Sequence, residues 1–219
     1  MLELTPEEIR VVGCLMEKEV TTPDNYPLTV NSLVSACNQS SNRAPVVSYS
    51  EAEVTHALTS LREKGLTRIV YSQSNRAAKH RHVADDVLHL SPGEQAVVCV
   101  LALRGPQTVG EVKGRTERLF AFDDLAAAEA ALDSLSSRDD PLVVKLPRQP
   151  GQKDIRYAHL LGGPVDVDAL AAEMAAPAAL AGTRPDRVGP LEERVAALEA
   201  QVAALSEIVE RLRPLVDEA

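Results

Sequence analysis

The chain of 219 residues has no tryptophan, two phenylalanines and four tyrosines. So few aromatics leave little for stacking single-stranded nucleic acid. The cores must be built from Leu, Val, Ile and Ala, a mix that suits helices packed on small sheets. Cysteine is scarce too: Cys14, Cys37 and Cys99 are odd in number and lack metal-ligand spacing, which fits buried thiols in a reducing compartment. Long apolar runs are missing, the longest being Val97–Leu103, far too short to span a bilayer. The first residues carry an acidic helix signal rather than a basic and apolar leader. A cytoplasmic protein with no membrane partner is expected. There is also no phosphate-cradling glycine loop, nucleophile elbow or metal-spaced His/Asp/Glu cluster, so neither an enzyme nor a cofactor or metal is expected.

What is present is 45% hydrophobic residues, enough for real cores, and a formal net charge of −9. That balance argues against indiscriminate coating of nucleic acid, but the charge is uneven. Asp166 to Glu218 holds 11 acidic and five basic residues, whereas Cys37 to Arg81 holds seven Lys/Arg and three Glu. Any basic surface is local to the N-terminal third.

The chain repeats itself. "LTPEEIRVVGCL" from Leu4 and "LSPGEQAVVCVL" from Leu90 each place a hydroxyl cap (Thr5, Ser91), a proline at the first helical position and a Glu at the third (Glu8, Glu94), the capping-box arrangement. "LTVNSLVSAC" (Leu28–Cys37) then echoes "QTVGEVKGRT" (Gln107–Thr116), and "ALTSLREKGLTRIV" (Ala57–Val70) echoes "ALDSLSSRDDPLVVKL" (Ala131–Leu146). "KHRHVA" (Lys79–Ala84) echoes "DIRYAH" (Asp154–His159). Each unit reads helix, helix, helix, strand, loop, strand, the order of a winged helix. The fold expected is mainly α with small β-hairpins (α+β): one winged-helix domain over residues 1–89, a second over 90–161, a Gly/Pro/Ala-rich linker over 162–190, and a heptad helix over 191–219.

"TTPDNYPLTVNSLVSACNQSSNRAPV" (Thr21–Val46), with the following "VTHALTSLREKGL" (Val54–Leu66), resembles the signature of the YceH-like family of bacterial proteins. The resemblance covers roughly the first 160 residues and implies a pair of winged-helix domains.

In a winged helix the third helix enters the major groove and the wing touches the flanking backbone. Here that helix starts at Ser50, with Val54, Leu58 and Leu61 as its buried stripe. Thr55, His56, Thr59 and Arg62 face outward among Glu51 and Glu63, a mixed surface suited to modest readout. Arg43, Arg62, Arg68, Arg76, Lys79 and Arg81 are cations where a winged helix meets phosphates. Arg43 also has a structural reading, in which it bonds the last carbonyls of the second helix. His80 and His82 share a strand face, but no third metal ligand accompanies them.

The corresponding helix of the second unit, "FDDLAAAEAALDSLSS" (Phe122–Ser137), is expected to be capped by Asp123. It exposes Asp124, Glu129 and Asp133 and has no Lys or Arg. A phosphate lattice would repel it, whereas its alanine-rich surface permits close approach of another protein chain. In the tail, Leu191, Val195, Leu198, Val202, Leu205, Val209 and Leu212 form a heptad seam with valine at a and leucine at d, the pattern of a parallel two-stranded coiled coil; the alternative is a helix docked on its own chain. Together these features point to a homodimer that binds double-stranded DNA through the first unit, in a regulatory or architectural role. The alternative is a protein-interaction scaffold, resembling the tandem winged-helix segregation and condensation proteins, with a protein partner on the second unit.

Overall fold

The computed structural model describes residues 3–71, 77–148 and 154–166, all of which lie within one compact unit spanning Met1–Glu173. The heptad seam from Leu191 to Leu212, and most of the expected linker, fall outside the described residues.

The first repeat opens with α1 (Pro6–Thr21). Thr5 Oγ1 accepts the Glu8 N–H while the Glu8 carboxylate accepts the Thr5 N–H, so two otherwise orphaned donors are satisfied reciprocally. Thr29 caps α2 (Val30–Cys37), and a second capping box, Ser50 with Glu53, starts α3 (Glu51–Glu63). An antiparallel ribbon follows, β1 (Thr67–Val70) and β2 (Lys79–His82), in the register Thr67↔His82, Arg68↔Arg81, Ile69↔His80, Val70↔Lys79. Leu28, just before α2, bridges to His80 on the other side of β2. A short α4 (Ala84–Leu88) leads out and ends at His89, in the left-handed region at φ 50°.

The second repeat follows the same plan. A third capping box, Ser91 with Glu94, opens α5 (Pro92–Arg104). Next come β3 (Gln107–Thr108), α6 (Val109–Thr116) capped by Thr108, and α7 (Leu125–Ser136). The unit closes with β4 (Val143–Lys145) and β5 (Arg156–His159). The sheet order is β3-β5-β4, which matches Leu28-β2-β1 in the first repeat. No described helix is long and apolar enough to cross a membrane.

Two details differ from expectation. The cap of α7 is Asp124, not Asp123, because the Asp124 carboxylate accepts the Ala127 N–H. The second ribbon is also offset by two residues from the predicted match. Val143 pairs with His159 as Thr67 pairs with His82, so "KHRH" (79–82) corresponds to "RYAH" (156–159) rather than to "DIRY". A strand has period two, so a two-residue offset leaves the inward and outward pattern unchanged and is invisible to alternation alone.

Aligning the third helices on their caps, Ser50 and Asp124, places Val54, Leu58 and Leu61 over Ala128, Leu132 and Leu135, all at most 3% exposed. The two first helices pack on each other and merge both repeats into one buried cluster. They meet at corresponding positions, since Cys99 Sγ lies 3.4 Å from the Gly13 carbonyl oxygen. A β-carbon on Gly13 would sit 3.0 Å from Leu103 Cδ2, so the missing side chain permits that approach.

A charged lock also repeats. Glu8 pairs with Lys64 Nζ at 2.7 Å, and Glu94 accepts hydrogen bonds from Ser134 and Arg138, both at 2.8 Å. Lys64 and Arg138 occupy the same place just beyond the third helices, so in each repeat the capping-box glutamate ties the first helix to the end of the third. Burial works against the charged Glu94 carboxylate, but bonds from Ser91, Ser134 and Arg138 prevail and pull its pKa down to about 2.

Candidate nucleic-acid interface

The cations of the first repeat separate into groups once the ribbon register is known. Arg68 stands directly opposite Arg81, and Lys79 lies opposite Val70. Strand alternation therefore puts Arg68, Lys79 and Arg81 on one face. Thr67 and His82, on the reverse face, are 3% and 0% exposed, so that face packs on the helices. Arg68 is exposed and Lys79 half-buried, and neither has an ion-pair partner among the described residues. The Arg81 Nε–H donates to the His82 carbonyl at 3.3 Å, and Nη2 is 4.0 Å from Glu19, which leaves about half of the side chain exposed. At that separation and exposure the pair is screened and weak.

Thr55, Thr59 and Arg62 are all exposed on α3, and their spacing of four and three residues sets them on one flank. The Thr59 hydroxyl donates to the Thr55 carbonyl at 2.9 Å, which leaves its lone pairs for a ligand. Arg62 lies towards the ribbon. Burial first, and then the Arg62 charge, lower the pKa of His80. His56 does not join this group. It lines the opposite flank with Glu7, Glu8, Glu53, Ser60 and Lys64, around a cleft of ≈ 520 Å³ rimmed by carboxylates. His56 thus stands apart from the flank of Thr55, Thr59 and Arg62.

Arg43 is a further correction. Its side chain is fully buried and faces Glu17 through both terminal nitrogens, at 3.0 and 2.6 Å. Its Nε–H donates to the Ala36 carbonyl at 3.1 Å, and the remaining donors meet Asn42 and Gln39. Burial alone would weaken the charged form, but the bond to Glu17 and its charge hold the Arg43 pKa above the ordinary value. Arg10 does similar work, donating to the carbonyls of Cys37 and Pro45 at 3.1 and 2.7 Å. Two guanidinium groups thus satisfy the carbonyl end of α2 and oppose its dipole. The Asn38 side chain exchanges two 2.8 Å hydrogen bonds with the Tyr49 backbone, and Ala44 N–H donates to the Leu103 carbonyl at 2.8 Å. The stretch between α2 and α3 is therefore a joint fastened to both repeats. Arg76 lies outside the described residues.

Glu19 and Tyr26 carry no marker in the sequence, yet they fix the ribbon. The buried His82 Nε2 lies 2.7 Å from Glu19, and its backbone N–H donates to the Tyr26 hydroxyl at 2.9 Å. The His82 Nδ1 sits 3.4 Å from Asp85 without hydrogen-bond geometry. His82 is thus a structural residue at the base of the ribbon. Its only sequence signal is its place at the end of an alternating strand.

The second repeat has a different surface at the same places. Thr55, Thr59 and Arg62 correspond to Glu129, Asp133 and Ser136, and Arg68 and Arg81 correspond to Val144 and the buried Ala158. The counterpart of Lys79 is Arg156, whose guanidinium bonds Glu111 at 2.6 Å and the Pro106 carbonyl at 3.0 Å. Arg115 is likewise taken up by Gln107 and Glu111.

The model of the family described as "Protein of unknown function, DUF480" matches residues 4–152. Among similar proteins, the UPF0502 protein of Geobacter sulfurreducens is 51% identical over 166 residues, 76% of this chain and 75% of that one. A UPF0502 protein of Solibacter usitatus is 50% identical over 192 residues, 87% and 90% of the two chains. One of Photobacterium profundum is 46% identical over 198 residues, 87% and 89% of the two chains.

Proposed function

This chain belongs to the DUF480 family of bacterial proteins, and on that premise we propose that it is a homodimeric DNA-binding protein acting through its first repeat. Each repeat is read as a winged helix, with β1 and β2 as the wing of the first. The observation that carries the reading is the single ribbon face bearing Arg68, Lys79 and Arg81, two of them without a described counter-charge. Counterion release on docking to phosphates drives association, and the Thr55, Thr59 and Arg62 flank of α3 adds modest readout of base edges. The heptad seam is the dimerisation element in this reading, and pairing doubles the phosphate contacts.

Fluorescence polarisation with a labelled duplex across a salt series tests it. Three cations give a log–log slope of about −3 for one chain and about −5 for a dimer. Affinity that does not change with salt sinks the proposal.

A second reading, a scaffold for protein partners, is favoured by one feature of α7. It presents Glu129 and Asp133 where the first repeat has threonines, beside a Leu125 that is 55% exposed. Retention of a discrete partner by a chain that binds no duplex would favour this alternative.

A further inference from the structure

The groove between the first and third helices occurs in both repeats, and its lining has diverged. In the first repeat it is the carboxylate-rimmed cleft that holds His56. In the second it is a cleft of ≈ 580 Å³ between the start of α5 and α7. Position by position, Glu7, Glu53 and His56 become Gly93, Ala127 and Ala130, so glycine and alanine replace the charged wall. Phe120 and Phe122 lie against Gly93. Their ring centres are 4.9 Å apart, edge to face, and a β-carbon on Gly93 would sit 3.3 and 3.1 Å from the two rings. Phe120 is nevertheless 38% exposed. Pro92 also lines a smaller cleft of ≈ 140 Å³ with Met16, Val20 and Leu119, and Val20 is 44% exposed. Apolar surface therefore continues from α7 over the start of α5 to α1.

Charge and chain length select what covers this surface. The chain carries a net charge of −9, so a second copy can approach closely only where carboxylates are absent from the middle of the contact. The groove of the first repeat, with Glu7 and Glu53, does not meet that condition. The heptad seam runs from Leu191 to Leu212 and is followed by Pro214, which gives about three heptads. A coil that short is marginal by itself, so a homodimer needs a contact on the folded body as well. We infer that the Phe120 surface of the second repeat is that contact, made with the same surface of a second copy about a two-fold axis. The inference rests on the homodimeric reading above and names where the bodies meet. Pro92, Phe120 and Ala130 form its centre. Both signs of charge stand at its edge: Asp123 lines the cleft and Arg118 is exposed just before Leu119 and Phe120, neither in an ion pair among the described residues. A two-fold axis lets Arg118 of one copy face Asp123 of the other, which sets register and adds little affinity. None of the residues on the DNA-binding face lines either cleft.

Sedimentation of the full-length protein over a concentration series tests this. The parent is expected to be a dimer at about 10 μM chain. Ala130→Glu places a carboxylate from each copy in the contact and should raise the dimer Kd by about ten- to a hundredfold. Ala126→Glu adds the same charge to an exposed position of α7 outside the cleft, and should change the Kd by less than about threefold. Hydroxyl-radical footprinting of the parent needs no variant. Oxidation of Phe120 should fall by about threefold or more from dilute monomer to dimer, while that of Tyr71, 80% exposed, stays level. A dimeric parent whose Kd is unchanged by Ala130→Glu, an equal loss with Ala126→Glu, or Phe120 oxidised alike at every concentration would each overturn the inference and leave the seam as the dimer contact. A parent that stays monomeric throughout would overturn the homodimeric reading with it and leave the groove to a different protein.

Discussion

The two repeats share a frame and differ in what they show to solvent. Their caps, buried stripes, sheet order and glutamate locks coincide position by position. Glu8 with Lys64 answers Glu94 with Arg138, and Leu58 answers Leu132. The surfaces over that frame have diverged in charge. The first ribbon carries Arg68, Lys79 and Arg81 on one face, and the second has Val144, Arg156 and Ala158 in those places, with Arg156 already bonded to Glu111. Three helices and a ribbon therefore do not themselves specify a polyanion site. A site of that kind depends on cations gathered on one face, and of the two ribbons only the first gathers three there among the described residues.

The comparison can be broken hardest at the joint. Arg43→Ala should destabilise the fold by about 3–5 kcal/mol, because it leaves the largely buried Glu17 without its partner. Denaturant titration measures this. A loss of duplex affinity with an unchanged unfolding midpoint would show instead that Arg43 is a contact residue. Next in size, replacing Arg68, Lys79 and Arg81 together with alanine should lower duplex affinity by about ten- to a hundredfold at low salt and leave the melting temperature unchanged. Substituting Lys113, Arg115 and Arg118 in the second repeat should change affinity by less than about threefold.

The glutamate locks give a pH prediction. The Glu94 pKa lies near 2 in the folded chain, below the usual 4.5, so its contribution is full above pH 4.5 and is lost as the pH falls towards 2. Arg138→Ala should lower stability by about 1–2 kcal/mol at neutral pH. That deficit should shrink in acid, as followed by thermal melts from pH 7 down to pH 2.5. A deficit that stays constant with pH would remove Glu94 from the lock. Smallest is Arg62→Ala, with a loss of duplex affinity of about threefold and a rise in the His80 pKa, since the Arg62 charge contributes to holding it down.

Much of the frame was legible because it is local. A cap and its glutamate are three residues apart, so Thr5 with Glu8, Ser50 with Glu53 and Ser91 with Glu94 could be read directly, and so could the stripe of Val54, Leu58 and Leu61. The errors came where local signals are degenerate. Asp123 and Asp124 are both good caps, and only the geometry of the turn after Phe122 selects the second. The two-residue offset of the second ribbon left alternation intact. Of the two readings of Arg43, the structural one holds, since its Nε–H meets the Ala36 carbonyl at the end of α2; the contact reading failed because Glu17, which neutralises it, lies 26 residues earlier in the chain, and no pattern of spacing connects a helix surface to a later turn. The surroundings of His56 were not legible for a similar reason. It is exposed, but the carboxylates of α1 that share its flank arrive only with helix packing. Of the ribbon cations, Arg68 and Arg81 are exposed and Lys79 is half-buried. Their common face followed only from knowing that Arg68 stands opposite Arg81.

The most direct measurement is the salt dependence of duplex binding by the parent chain and by the Arg68, Lys79 and Arg81 triple alanine variant, side by side. The parent should show a log–log slope of about −3 per chain, and the variant a slope nearer zero by about three units, with the same melting temperature. Equal slopes for the two proteins would contradict a phosphate-binding role for that face of the first ribbon.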